Sequence, residues 1–237
     1  MNYLLLGASG GIGKSILNKI YNLKDNFILT YNSRKPDINK KNVFMLKVDF
    51  NKTEKVEIEI SKIIKKFKKI DILINNIGNS NPYKSALKIK MKEIQQSMRI
   101  NFYSPLSIIL QTINKSLKIK KKLNIIHLST NTIKFYGSDN NLPYLVSKKA
   151  LETSLLNLSK TYSKKLIKIN IIRPGLIDSN KKINLKNYSK KNFLKRAKLI
   201  PAGKPGEPDD ISNLVSFLIS DKSKFIFGQI FAVSGGE

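Results

Sequence analysis

The sequence predicts a single doubly wound α/β domain built on a parallel sheet of about seven strands. Three observations carry that expectation. Short apolar runs alternate with longer segments of helical periodicity along the whole chain. The runs are hydrophobic throughout rather than alternating, as strands covered on both faces are. The first of them opens directly into a glycine-rich turn. The 237 residues are enough for one sizeable core, and 41% hydrophobic residues is a globular proportion.

Taken in order, Tyr3–Leu6 reads as a buried strand and Ile12–Tyr21 as the helix after the turn. Phe27–Tyr31 and Val43–Val48 are the next strands. Val56, Ile60, Ile63, Ile64 and Phe67 recur at helical spacing, so Val56–Phe67 is an amphipathic helix. Ile70–Ile74 is a strand, and one long helix is expected over Ile94–Leu117. Asn124–Leu128 is a strand, Tyr144–Tyr162 a helix and Ile167–Ile172 a strand. Pro208 and the acids after it mark the start of a helix over Asp209–Ile219. Ile230–Val233 closes the sheet. Such alternation implies right-handed crossovers that cover both faces.

Composition excludes several function classes. The chain has no Cys, so it offers no disulfide framework and no thiolate metal site, and no metal centre is expected. No run approaches ~20 apolar residues, and the first is too short and lacks the basic flank of a signal peptide. A soluble cytoplasmic protein without membrane partners is expected. The net charge is +28, yet 40 of the 44 basic residues are Lys and only four are Arg. Asn and Ile are also abundant, and the three share A/T-rich codons. Because phosphate-binding surfaces draw on Arg, the charge is read as coding bias rather than as a nucleic-acid interface.

The chemistry begins at Gly7-Ala8-Ser9-Gly10-Gly11-Ile12-Gly13. A glycine turn between a strand and a helix lets backbone N–H groups meet a pyrophosphate where the helix dipole favours anions. The spacing is G-x-x-x-G-x-G, at Gly7, Gly11 and Gly13, with Ser9 and Ile12 between. The second strand runs into Asn32-Ser33-Arg34-Lys35 with no acid before Asp37. An acid there would bond the ribose hydroxyls of NAD(H). Ser33 and Arg34 suit a 2′-phosphate instead, so NADP(H) is expected over NAD(H). Further on, Tyr144 and Lys148 stand four residues apart at the start of a helix, on one face of it. A free Tyr holds its proton to a pKa near ~10, and a nearby ammonium favours the phenolate. The pair therefore suits general acid–base work.

The glycine spacing and the Y-x-x-x-K pair resemble the short-chain dehydrogenase/reductase family, and four further segments resemble it in the same order. They are Lys47-Val48-Asp49, Asn75-Asn76-Ile77-Gly78, Arg173-Pro174-Gly175-Leu176-Ile177-Asp178-Ser179, and the C-terminal region from Ile200 to Gly236. The resemblance spans essentially the whole chain and implies a Rossmann-type oxidoreductase. In it Asp49 bonds the adenine, and Asn76 and Gly78 support the adenosine side. Pro174, Gly175, Ile177 and Ser179 cover the nicotinamide. Lys148 holds the ribose, and Asn101 completes a proton relay. A hydroxyl partner for the substrate oxygen is expected from Thr130 or Ser129; strand alignment favours Thr130. Ile77 departs from the family's usual Ala. His127, the one histidine, is read as a packed imidazole. Candidate substrates are a 3-oxoacyl thioester, or a sugar or sugar nucleotide of surface-polysaccharide synthesis. A non-catalytic nucleotide-sensing or polyanion-binding module is the alternative of another class. Relatives pair through the two long helices, so a homodimer or homotetramer is expected. The basic segment Leu176–Leu199, with Lys181, Lys182, Lys186, Lys190, Lys191, Lys195, Arg196 and Lys198, is expected to be a substrate lid anchored by Leu185, Phe193 and Leu194.

Overall fold

The computed structural model describes residues 1–80, 85–137, 140–179 and 190–237. Seven parallel strands form one sheet: β1 (Asn2–Leu6), β2 (Asn26–Tyr31), β3 (Val43–Lys47), β4 (Ile72–Asn75), β5 (Leu123–Leu128), β6 (Ile167–Pro174) and β7 (Ile230–Val233). Their order is β3-β2-β1-β4-β5-β6-β7. The sequence order reverses between β1 and β4, where Leu4 lies opposite Leu73 and Leu6 opposite Asn75. In open α/β sheets the ligand cleft forms beyond the strand ends at such a point.

Strand residues alternate between two apolar layers. Tyr3 and Leu5 face α1 (Gly11–Ile20) and α7 (Pro208–Ile219), with Ile16, Leu17, Ile211 and Val215 fully packed against them. Leu4 and Leu6 face α2 (Thr53–Phe67), α4 (Ser104–Lys118) and α5 (Leu142–Tyr162), where Val56, Ile60, Ile108, Leu151 and Leu155 close the second layer. Each of these side chains is worth about 1.5–3 kcal/mol on burial. Among the described residues, no helix is long and apolar enough to cross a membrane.

Two expectations need correction. The single helix expected over Ile94–Leu117 is three elements: α3 (Met91–Met98), a π-helical turn over Arg99–Tyr103, and α4. The ladder widens because the Ser104 N–H reaches back to the Arg99 carbonyl, and Pro105 follows with no N–H to give. The segment expected to be a lid holds a helix, α6 (Lys190–Ala197), which the sequence did not signal. Leu194 on it is half-exposed rather than an anchor, whereas Ala197 and Ile200 are buried. Residues 180–189, which include Lys181, Lys182, Leu185 and Lys186, lie outside the described residues.

Candidate active site

β1 ends in Gly7, whose φ of +79° lies in the left-handed region that glycine adopts without strain. The turn is tied from two sides. The Gly7 N–H donates to Thr30 Oγ1 (3.0 Å), and Asn76 Nδ2 donates to the Gly7 carbonyl (2.9 Å). A Cβ on Gly13 would stand 2.5 Å from the Gly7 carbonyl oxygen, and one on Gly11 would stand 2.3 Å from that of Ser179. Both glycines are therefore imposed by backbone approach. Gly13 lets α1 sit on its strand, and Gly11 lets the loop after β6 pass over the helix N-terminus.

The N-terminus of α1 opens on a cavity of about 680 Å³. Gly7, Ser9, Gly11 and Ile12 line one part of it, with Arg34 and Asp49 where β2 and β3 end. Asn76 and Gly78 follow β4, Ser129 and Thr130 follow β5, and Tyr144 and Lys148 project from α5. Pro174, Gly175, Ile177 and Ser179 complete the wall after β6. Gly13, Ser33 and Asn101 do not line it. Gly13 packs on Gly7 and Ala8, Ser33 is exposed beside the cavity, and Asn101 is fully buried behind it. Asn32, which the sequence reading passed over, takes a lining position beside Arg34. A cavity beginning at a helix N-terminus, with backbone rather than side chains at its glycines, fits a dinucleotide.

At the other end the Tyr144 hydroxyl lies close to Thr130 and reaches beneath Gly78, 3.6 Å from where a Cβ there would lie. Burial pushes the Tyr144 pKa up to about 12, against the opposing pull of Thr130. Lys148 is also buried. Its Nζ donates to the carbonyls of Ile77 (2.9 Å) and Leu128 (2.5 Å). Burial lowers its pKa to about 7, with the Glu152 charge opposing. The lowering of the Tyr144 pKa expected from Lys148 is thus not found in this arrangement. The ammonium is turned toward two backbone carbonyls, and loss of solvation dominates both groups.

The adjacent hydroxyls have different partners. Ser129 Oγ donates to Glu152 Oε2 (3.1 Å), while Thr130 Oγ1 donates to Thr132 Oγ1 (3.1 Å) and accepts from the Thr132 N–H (3.3 Å). Asn101 sits in the π-helical turn. Its Oδ1 accepts from the Asn79 N–H (2.9 Å), and its Nδ2 lies 3.1 Å from the Ser97 and Ser147 hydroxyls. Ser147 in turn donates to the Tyr144 carbonyl (2.8 Å), so the turn braces the first turn of α5. His127 is fully buried. Asn75 Oδ1 accepts the Ile77 N–H (3.1 Å), which orients the amide so that its Nδ2 donates to His127 Nδ1 (3.1 Å). Burial first, and then Lys148, hold this imidazole well below its usual pKa, so it stays neutral.

Glu152 went unremarked in the sequence, and Arg173 was read only as the first residue of the segment that covers the nicotinamide. Glu152, one turn beyond Lys148 on α5, has a fully buried side chain, and Arg173 on β6 grips it with two hydrogen bonds. The signal available was an acid at the i+4 position on the helix face that carries Tyr144 and Lys148.

A parallel sheet with a glycine turn at its switch point, and a cavity running from that turn to a Tyr and a Lys, defines a dinucleotide-dependent oxidoreductase. The family model described as Enoyl-(Acyl carrier protein) reductase matches residues 7–237. A 3-oxoacyl-acyl-carrier-protein reductase FabG of Buchnera aphidicola subsp. Schizaphis graminum is 31% identical, over 98% of this chain and 95% of that protein. The FabG of Thermotoga maritima is 26% identical over 98% and 96%. The crystal structure of a short chain dehydrogenase family protein from Francisella tularensis superposes with a TM-score of 0.81 at 26% identity, covering 99% of this chain and 97% of that one. The chain belongs to the short-chain dehydrogenase/reductase family of NAD(P)-dependent oxidoreductases.

Proposed function

We propose that this enzyme interconverts a carbonyl and a secondary alcohol with NADP(H), and that its substrate is a 3-oxoacyl thioester. One observation carries the reading: Tyr144, Thr130 and Lys148 meet at one end of the cavity whose other end is the glycine turn. The bound cofactor supplies the hydride. Tyr144 and Thr130 hold the substrate oxygen, and in reduction Tyr144 gives it a proton. A phenol with a raised pKa keeps that proton at neutral pH but yields it reluctantly, so both its role as acid and its role as base need the Lys148 ammonium beside it. Lys148 holds the ribose, and Asn101 supports the relay behind it. Ser129 is tied to the buried Glu152 carboxylate, whereas Thr130 Oγ1 is bonded to the neighbouring Thr132 and set beside Tyr144, which supports Thr130 as the hydroxyl partner.

Cofactor choice follows from the end of β2. Arg34 lines the cavity, and no carboxylate stands between Tyr31 and Lys35. A 2′-phosphate would meet a guanidinium rather than an acid. The two FabG relatives, named as 3-oxoacyl-acyl-carrier-protein reductases, support the thioester. Tyr103, Leu110, Leu142 and Val146 expose apolar surface on and beside α4 and α5, which supports assembly through those helices. The test is NADPH oxidation with acetoacetyl-coenzyme A, followed at the nicotinamide absorbance, for the wild type and Tyr144→Phe. Turnover by the wild type and its loss in the variant supports the reading; no turnover with any 3-oxoacyl thioester overturns the substrate, and undiminished turnover in Tyr144→Phe overturns the mechanism.

A further inference from the structure

Glu152 is a carboxylate in an apolar layer. Its neighbours on the helix, Leu151 and Leu155, are fully buried core residues, and so is Glu152 itself. A buried carboxylate is costly unless it is paired and hydrogen-bonded. Here each oxygen has two donors. Oε1 receives Arg173 Nη2 (2.5 Å) and Lys149 Nζ (3.0 Å), and Oε2 receives Arg173 Nε (2.9 Å) and Ser129 Oγ (3.1 Å). These donors come from the three elements that carry the site. Ser129 precedes Thr130 at the end of β5, Arg173 immediately precedes the Pro174-Gly175 loop, and Lys149 follows Lys148 on α5.

We propose that Glu152 is a positioning residue for the reaction: its carboxylate ties the ends of β5 and β6 to α5 and sets a negative charge one helical turn from Lys148. The inference rests on the reading that Tyr144 and Lys148 carry the proton chemistry. The charged and titratable groups around Lys148 are few. Tyr144, Lys149 and Glu152 share its helix, His127 comes from β5, and Arg173 comes from β6. The turn after β4 offers the Ile77 carbonyl, and the π-helical turn offers the uncharged Asn101. His127 is neutral, and Lys149, half-exposed, bonds Glu152 Oε1. Burial opposes the ammonium and Glu152 is the charge that favours it. Glu237, the other carboxylate beside the Pro174-Gly175 loop, pairs with Arg196 (3.6 Å) instead.

The two members of the ion pair make opposite predictions, which a purely structural pair would not. Glu152→Gln removes the negative charge and leaves Arg173 positive, so Lys148 should lose its proton at lower pH. Arg173→Gln leaves the carboxylate in place, so Lys148 should keep its proton to higher pH. The double variant Glu152→Gln/Arg173→Gln restores a neutral, hydrogen-bonding pair should the first fail to fold, and it should also move the midpoint down. Two readouts are taken between pH 6 and 9: kcat/KM for acetoacetyl-coenzyme A with NADPH, and the dissociation constant of NADPH alone by fluorescence. Both should weaken as pH rises through the Lys148 titration, with the midpoint lowered by roughly one pH unit in the carboxylate variants. It should be raised in Arg173→Gln. If Glu152→Gln and Arg173→Gln shift the midpoint alike, or if the double variant leaves it at the wild-type value, the proposal fails. Tyr144→Phe, measured alongside, keeps the two readings separate: an active Tyr144→Phe protein overturns the proton chemistry itself rather than the role of Glu152.

Discussion

Adjacent hydroxyls at the end of β5 face different partners, and this difference is open to direct measurement. Thr130→Ala should lower kcat/KM by ~10²–10³, the size of a lost donor to a developing oxyanion, with little change in melting temperature. Ser129→Ala should keep most of the activity and lower stability by about 1 kcal/mol, since Glu152 loses one of its donors. Comparable catalytic losses in the two variants would contradict the assignment of Thr130. Lys148 gives a second residue-scale expectation. Its pKa in the folded chain, about 7, lies below its ordinary value of 10.5. The unfolded chain therefore binds more protons between those values, and this residue's contribution to stability rises with pH across that window and is lost as pH falls through 7. Denaturation midpoints for the wild type and Lys148→Met between pH 6.5 and 9.5, a range set roughly by those titrations, should show a steeper rise in the wild type. Parallel curves would mean that Lys148 is not buried as an ammonium-averse group.

At the scale of elements, the glycine turn and the helix bearing Tyr144 and Lys148 were legible because their chemistry lies within a few consecutive residues. Glycines at 7, 11 and 13 state a backbone requirement, and a Tyr and a Lys four apart state a helix face. The π-helical turn was not legible, because the periodicity of Ile94–Leu117 continues through it and its cause is tertiary: Asn101 bonds the Asn79 backbone and meets Ser147 on α5. The Glu152–Arg173 pair was hidden for the same reason, being contacts across 21 residues. α6 was missed because Asn is scattered through Leu176–Leu199, although Lys190–Ala197 itself is mostly Lys, Leu, Arg and Ala, which favour a helix. Two variants test the elements that were legible. Gly13→Ala brings a methyl against the Gly7 carbonyl and should cost roughly 1–3 kcal/mol through displacement of α1, together with most of the NADPH affinity. Wild-type melting and binding would show that the helix can move away without cost. Arg34→Ala should weaken NADPH binding while sparing NADH, narrowing the gap between their dissociation constants; an equal effect on both cofactors would remove Arg34 from the 2′-phosphate site.

For the molecule as a whole, charge and assembly are the properties that a single chain states least directly. The +28 excess is mostly Lys. Its attraction for polyanions should therefore be weak and indifferent to sequence, and DNA retention on a column should vanish with modest salt; salt-resistant binding would show a dedicated surface. The apolar residues exposed on α4 and α5 lead to the expectation of a dimer or tetramer by light scattering at micromolar concentration, and a strictly monomeric species would refute it. The ties around the turn carry a last consequence, for the newly made chain. Gly7 is held by Thr30 and by Asn76, 69 residues downstream, and Lys148 is seated on carbonyls from the ends of β4 and β5. A nascent chain emerging N-terminus first carries its nucleotide motif early but cannot close it until Asn76 has left the ribosome and β4 has docked beside β1. N-terminal fragments ending before that point should therefore ignore nucleotide, and affinity should arrive abruptly with chain length rather than grow with it.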